Sequence, residues 1–201
     1  MLCLSLVPLE KVEAREIAAA ELAAVGRLNH AGYRQQRHCT AVLVAPQVAL
    51  TAEHCLTNLD PRESHLLLGY NYGNWREHLR LRKLVALGED LAALCLARPA
   101  TTKPLPISDY SLAPGQPLTA AGYGRPAVHR LQVHHCQVTA TGGERLLRVD
   151  CPLAPGNSGG PLLDDSDGAL NVAAIAVASG GGQSLAVETA ELNLDRICPA
   201  G

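Results

Sequence analysis

The chain contains no phenylalanine, one tryptophan and one methionine, and only 3% of its 201 residues are aromatic. Its core must therefore be filled by leucine, valine and alanine, and the aromatic platforms on which single-stranded nucleic acids stack are missing. Positive charge is not in excess either, since 17 Lys and Arg stand against 19 Asp and Glu, a formal net charge of -2. Such a balance gives no electrostatic footprint for nucleic acid. No stretch approaches the roughly 18 continuous apolar residues that a membrane-spanning helix needs, so neither nucleic acid nor membrane is an expected partner. With 47% apolar and 18% charged residues, the composition argues against disorder, and the length suffices to bury a core without a cofactor.

Cysteine, by contrast, is plentiful. Seven residues, Cys3, Cys39, Cys55, Cys95, Cys136, Cys151 and Cys198, are many for a reduced cytosolic protein and point to a secreted or periplasmic destination. The odd count leaves at least one unpaired. The apolar run Leu2 to Leu9 is short and broken by Pro8, and the Ala-, Glu- and Leu-rich segment Glu10 to Val25 predicts a helix. Residues 1–24 thus read as a signal- or propeptide-like or helical extension.

Beyond residue 38 the sequence turns into short β segments punctuated by glycine and proline, and an all-β fold is expected. Predicted strands cover Thr40 to Val44, Val48 to Ala52, Ser64 to Leu68, His78 to Leu87, Leu91 to Ala97, Pro117 to Gly122, His129 to Thr139, Leu146 to Asp150, Pro161 to Leu163 and Asn171 to Ala178. The proline-rich stretch Arg98 to Pro117 suits a connection between two β lobes, residues 25–105 and 106–201. No internal repeat of fixed period is visible.

Three segments carry chemistry. In Gly156-Asn157-Ser158-Gly159-Gly160-Pro161, glycines on both sides let a serine sit on a tight turn, where the amides of Gly156 and Ser158 can form an oxyanion hole worth about 3 to 4 kcal/mol per donor. Taken alone, the segment also reads as an ordinary Gly-rich turn. Leu50-Thr51-Ala52-Glu53-His54-Cys55 ends an apolar run with a histidine beside a cysteine. A disulfide from Cys55 back to Cys39 is expected to brace that histidine by closing a short loop, at about 3 kcal/mol. In Gly88-Glu89-Asp90-Leu91-Ala92-Ala93-Leu94-Cys95-Leu96 an acid stands at the mouth of an apolar strand, where it can orient the imidazole. Asp90 also reads as a plain turn residue, and Glu89 competes for the role.

The three segments in the order His, Asp, Ser resemble the trypsin/chymotrypsin family over roughly Val25 to Leu194. Cys39 to Val44 is similar to the family's strand before the histidine, and Gly122-Tyr123-Gly124 to its passage into the second barrel. The resemblance implies two antiparallel six-stranded β-barrels of the chymotrypsin type with the active site between them, a polypeptide substrate, no cofactor, and His54, Asp90 and Ser158 as catalytic residues. Asn157 replaces the aspartate with which animal trypsins bind a new N-terminus, so the serine motif looks like the bacterial branch that includes glutamyl endopeptidases and Deg/HtrA protease domains. No PDZ-like segment follows before Gly201, and a Deg-type assembly is not expected. Glu53 stands where the family has a small residue, and its carboxylate is expected to perturb His54. That departure motivates an alternative in which the chain is a catalytically silent binding or regulatory module.

Specificity is read with the same resemblance, and the remaining cysteines and histidines from their spacing and sequence context. The pocket-base position, six residues before the nucleophile, is Pro152, and Leu153 suggests an apolar floor, so cleavage after neutral residues is expected rather than after Lys or Arg. Ala178, Ser179 and Gly180 are similar to the strand along which substrate backbone docks. Cys136 and Cys151 flank a plausible hairpin and are expected to pair; a metal site with His134 and His135 has poor zinc-ligand spacing. Cys95 reads as a buried free thiol, Cys3 and Cys198 as possible partners of each other, and His30, His38, His65, His78 and His129 as surface residues.

Overall fold

A computed structural model describes residues 17–30, 38–57, 59–143, 145–180 and 183–199. Six strands, β1 (Val25–His30), β2 (His38–Ala45), β3 (Val48–Ala52), β4 (Ser64–Leu68), β5 (Glu77–Gly88) and β6 (Leu91–Leu96), close into one antiparallel barrel in the order β1-β2-β3-β6-β5-β4. Six more, β7 (Pro117–Gly122), β8 (Gln132–Gly142), β9 (Leu146–Val149), β10 (Pro161–Asp164), β11 (Asn171–Gly180) and β12 (Gln183–Glu188), close a second. Its order, β7-β8-β9-β12-β11-β10, repeats the first barrel's topology although the sequence shows no repeat. The expected all-β pair of barrels is the observed fold.

With no phenylalanine available, the first barrel is packed by fully buried leucines, among them Leu28, Leu43, Leu50, Leu66, Leu68, Leu79, Leu91, Leu94 and Leu96. Each such side chain contributes about 1.5–3 kcal/mol. The second barrel is filled more finely, by Val138, Leu147, Val149, Leu162 and the alanines Ala173, Ala174 and Ala186. Its Leu163, Val172, Ile175 and Val187 join the first barrel's apolar cluster and so bury the interface between the two.

Two strands escape the sequence reading. β1 carries Gly26 where Leu66 and Leu68 crowd the backbone, which masks its alternation. β12 follows a glycine-rich run that reads as a turn. β8 starts three residues later than expected, at Gln132. The helix expected over Glu10 to Val25 is corrected where it is described: residues 17 and 18 are irregular and 19–24 form successive turns, with Val25 N–H donating to the Leu22 carbonyl at 2.9 Å. Leu22 and Ala24 are buried against the barrel, and Leu43 N–H takes the Ala24 carbonyl at 2.9 Å, so tertiary pairing overrides helix propensity. Residues 1–16, including Cys3, lie outside the described residues.

Cys95 is also corrected. It is a disulfide partner of Cys198, with Cα atoms 5.5 Å apart across 103 residues of sequence. Cys198 follows a short helix, α1 (Leu194–Ile197), so this bridge fastens the end of the described chain to β6. The sequence places the two cysteines too far apart for pairing to be inferred without the fold.

The proline-rich connection between barrels is anchored by Glu77, whose side chain is 5% exposed. Its carboxylate accepts from Thr101 and Thr102 N–H, from the Thr102 hydroxyl and from Arg98 Nη1, all at 2.7–3.0 Å. Burial works against its charge, but these donors win and hold its pKa down to about 2. Against an ordinary value of 4.5, this corresponds to about 3 kcal/mol of stability, present above the unfolded-state value and lost as pH falls through the folded one. Glu77→Gln is expected to lose that pH-dependent share. Urea unfolding between about pH 6 and pH 2 checks it, since the wild type should weaken by about 3 kcal/mol more than the variant over this range.

Candidate active site

β3 runs fully buried to Ala52 and ends in a single 3-10 turn, Glu53–Leu56. The turn is pinned by the Cys39–Cys55 disulfide, Cα atoms 6.2 Å apart, which places His54 at the rim of the first barrel. Asp90 stands at the same rim on the two-residue turn that joins β5 to β6. Its main chain and side chain are both committed to the histidine segment. Glu53 N–H donates to the Asp90 carbonyl at 2.7 Å and His54 N–H to Asp90 Oδ1 at 2.7 Å, while His54 Nδ1 lies 2.6 Å from Asp90 Oδ2. With Nδ1–H directed to the carboxylate, the neutral ring keeps its lone pair on Nε2, the tautomer a general base requires. The pair is open to solvent, at 46% and 36% side-chain exposure. An ion pair in that setting adds little stability, so its consequence is orientation.

The serine loop comes from the second barrel, between β9 and β10. Gly156 has φ 105° and Gly159 φ 81°, values that glycine adopts freely. A Cβ on Gly156 would stand 2.5 Å from the Tyr123 carbonyl oxygen, and one on Gly159 2.2 Å from the Thr40 carbonyl oxygen. The loop is therefore pressed against its neighbours with no room for a side chain at either glycine. Asn157, Gly159 and Gly160 spend their N–H groups on the Ala154, Ala176 and Asn157 carbonyls at 2.7–2.9 Å. Among the described residues the N–H groups of Gly156 and Ser158 donate to nothing. The serine loop thus carries two unspent donors, on residues that are partly exposed.

The loop reaches the first barrel through main-chain contacts. Thr40 N–H donates to the Ser158 carbonyl at 2.9 Å, and the Cys55 sulfur lies 3.8 Å from the same oxygen. Serine and histidine segments are thereby brought together, although no hydrogen bond joins the Ser158 hydroxyl to His54 among the described residues. Cys39 and Cys55 also lie close to His54, all three ligand atoms within 4.8 Å. Their sulfurs are bonded to each other and provide no thiolate for a metal. The same holds for Cys136 and Cys151, which form a disulfide beside the loop, Cα atoms 4.8 Å apart.

In the segment that leads from β9 into the serine loop, Leu153 is partly buried against the second barrel's core and Pro152 is exposed. β11 pairs with β10 only as far as Ile175, whereas Ala178, Ser179 and Gly180 pair with Leu185, Ser184 and Gln183 of β12. Beyond Ile175 the other edge of β11 has no partner strand among the described residues.

A profile of the trypsin-like peptidase domain matches residues 39–173, about two thirds of the sequence. The chain belongs to the trypsin-like peptidase family. Membership places it among the serine endopeptidases. Solved structures agree in fold: a thermostable serine protease, AL20, from an extremophilic microorganism superposes with TM-score 0.69 at 19% identity, over 85% of this chain and 93% of that one. The secreted serine protease VesC of Vibrio cholerae superposes with TM-score 0.73 at 19% identity, over 89% of this chain and 46% of that one. This chain therefore spans less than half of VesC. No curated protein sequence matches it.

In this trypsin-like peptidase several residues that sequence reasoning passed over support the site. Thr40 is fully buried; its hydroxyl donates to the Gly156 carbonyl at 2.8 Å and accepts from Tyr123 N–H at 3.0 Å. The Thr51 hydroxyl donates to the Thr40 carbonyl at 2.8 Å. A hydroxyl in an otherwise apolar strand was the available signal, since buried hydroxyls need partners. His38 is corrected from a surface residue: it is half-buried, with Nε2 2.8 Å from the Tyr123 carbonyl oxygen. Burial lowers its pKa, opposed by that bond and assisted by the charges of Arg27, His129 and Arg125, so the neutral ring is favoured beside the serine loop. His30 is likewise partly buried.

Thr40→Val removes the hydroxyl that ties both Gly156 and Tyr123, at nearly constant shape. It is expected to cost about 1–3 kcal/mol in denaturant unfolding, because the Tyr123 N–H is left buried without an acceptor. A variant as stable as the wild type would show that water takes over the bond.

Proposed function

We propose that the protein cleaves polypeptides through an acyl-enzyme on Ser158, with His54 as general base and then general acid, and Asp90 as the acid that orients it. The observation that carries this reading is the double engagement of Asp90 by His54, through the ring at 2.6 Å and the main-chain N–H at 2.7 Å. An acid that served only to end a turn has no need of the imidazole. The unspent N–H groups of Gly156 and Ser158 support an oxyanion hole, worth about 3 to 4 kcal/mol of transition-state stabilisation per donor. Glu53 does not speak against activity. Its side chain is exposed and takes no part in the His54–Asp90 pair, while its main-chain N–H helps to hold Asp90.

The open edge of β11 at Ala178, Ser179 and Gly180 supports docking of the substrate backbone as an added antiparallel strand. Leu153 and Pro152 beside the serine loop supply no charge, which favours a neutral side chain before the scissile bond. Three disulfides among the described residues favour an oxidising compartment, secreted or periplasmic. Among these residues no helix is long and apolar enough to cross a membrane.

Wild-type protein is expected to label with a fluorophosphonate probe, and Ser158→Ala to lose labelling completely. A wild type that fails to label, or a variant that still does, overturns the assignment. Profiling on a peptide library is expected to show cleavage after small or medium neutral residues. A clear preference for Arg or Lys would exclude the pocket described.

A further inference from the structure

The turn that carries Asp90 is held in an unfavourable conformation. Gly88, Glu89 and Asp90 have φ of 85°, 52° and 64°, three successive residues in the left-handed region. A two-residue hairpin turn with both central residues left-handed is normally built from Asn-Gly or Gly-Gly. Here the central pair is Glu-Asp; aspartate visits this region on occasion, but glutamate is strained in it. Such a turn persists only where its surroundings over-determine it. Asp90 itself is tied to Glu53 and His54, as described above, but those bonds begin at Asp90 and do not fix the residues before it.

Beyond the pairing of Gly88 with Leu91 in the hairpin itself, what holds them comes from the other barrel. Arg145 lies in the turn between β8 and β9 and reaches across to the first barrel. Its Nε donates to Glu89 Oε2 at 2.8 Å and its Nη2 to the Leu87 carbonyl at 3.0 Å. One guanidinium thus grips the turn on both sides of Gly88, by a side chain and by a main-chain oxygen. The pair is mostly shielded, with side-chain exposures of 22% for Arg145 and 33% for Glu89. Its planar fork allows both bonds at once, which a lysine ammonium on a flexible stem does not reproduce in fixed geometry.

We propose that Arg145 is a positioning residue for the active site: it clamps the left-handed turn at Glu89 and thereby sets where Asp90 presents its carboxylate to His54. The proposal deepens the catalytic reading above and rests on it. Arg145 touches neither substrate nor the reacting atoms; it acts through the backbone between Leu87 and Asp90.

The test separates the backbone conformation from the ion pair as such. Arg145→Ala and Glu89→Ala both release the turn, and kcat is expected to fall about tenfold to a hundredfold with KM within about twofold, as a small misplacement of a catalytic group does. Glu89→Gly also breaks the ion pair but supplies a residue that adopts the left-handed region without cost, so its kcat is expected to stay within about threefold of the wild type. A purely structural bridge between barrels would make Glu89→Gly at least as damaging as Glu89→Ala. An Arg145→Ala enzyme with unchanged kcat, or a Glu89→Gly enzyme that falls with Glu89→Ala, overturns the proposal. To keep this apart from a failure of the catalytic reading, the same substitutions are examined in Ser158→Ala protein by proton NMR. There the downfield His54 Nδ1–H signal should weaken in Arg145→Ala and persist in Glu89→Gly, and its persistence in both would sink the clamp whether or not the wild type turns over substrate.

Discussion

No strand of one barrel pairs with a strand of the other, so the two are seated at a fixed angle by side-chain packing and by the few main-chain groups left over at their rims. In this protein the decisive leftover groups belong to Thr40 and the serine loop. Thr40 N–H takes the Ser158 carbonyl, the Thr40 hydroxyl takes the Gly156 carbonyl, and the Thr40 carbonyl accepts from Thr51. The approach is so close that Gly159 has no space for a methyl group beside Thr40 and Thr51. One residue of the first barrel thus binds both Gly156 and Ser158 of the second barrel's serine loop, and the rest of the candidate site is arranged about that contact.

Positive φ recurs at the same seam. Gly156, Gly159, Glu89 and Asp90 all have positive φ, and all lie in the segments that form the candidate site. Only the first two are glycines, so the Glu89–Asp90 turn stores energy that must be offset elsewhere. The offset is found away from the chemistry: in the leucine core of the first barrel, in Glu77 with its donors, and in the Cys95–Cys198 bridge that ties the end of the described chain to β6. Rigid barrels tolerate a strained rim because closing the sheet removes the freedom into which that strain would relax.

Which parts of this were legible in the sequence follows from the range of the interactions involved. The serine loop announces itself by local glycine spacing, and the disulfides Cys39–Cys55 and Cys136–Cys151 by separations of 16 and 15 residues. Cys95–Cys198 spans 103 residues, a distance at which only the fold can choose the partner. Thr40 looks like any threonine in a β segment, since threonine favours strands on its own account. Its role appears only when a carbonyl from residue 156 arrives opposite its hydroxyl. His38 was misread for a similar reason: a polar flank in sequence says nothing about burial beneath a second domain. β1 is hidden by Gly26, which weakens strand propensity yet here packs closely against Leu66 and Leu68, and β12 by the run of glycines that precedes it in the sequence.

The proposed mechanism divides its parts between barrels, with His54 and Asp90 on one and Ser158 on the other, so activity by that route depends on a rotation and a translation that no single strand determines. Three ties across the seam restrict both. Thr40 binds the serine loop at the site itself. Arg145 grips the Asp90 turn from the second barrel. At a third point Tyr72 N–H donates to the His129 carbonyl at 2.7 Å and the Tyr123 hydroxyl to the Tyr70 carbonyl at 3.1 Å. Each bond contributes only about 1 kcal/mol, too little to matter greatly for stability beside the apolar interface. Three separated contacts nevertheless define an orientation where one or two would leave a hinge. Polar ties of this kind therefore act on the alignment of His54 with Ser158 more than on whether the barrels stay together.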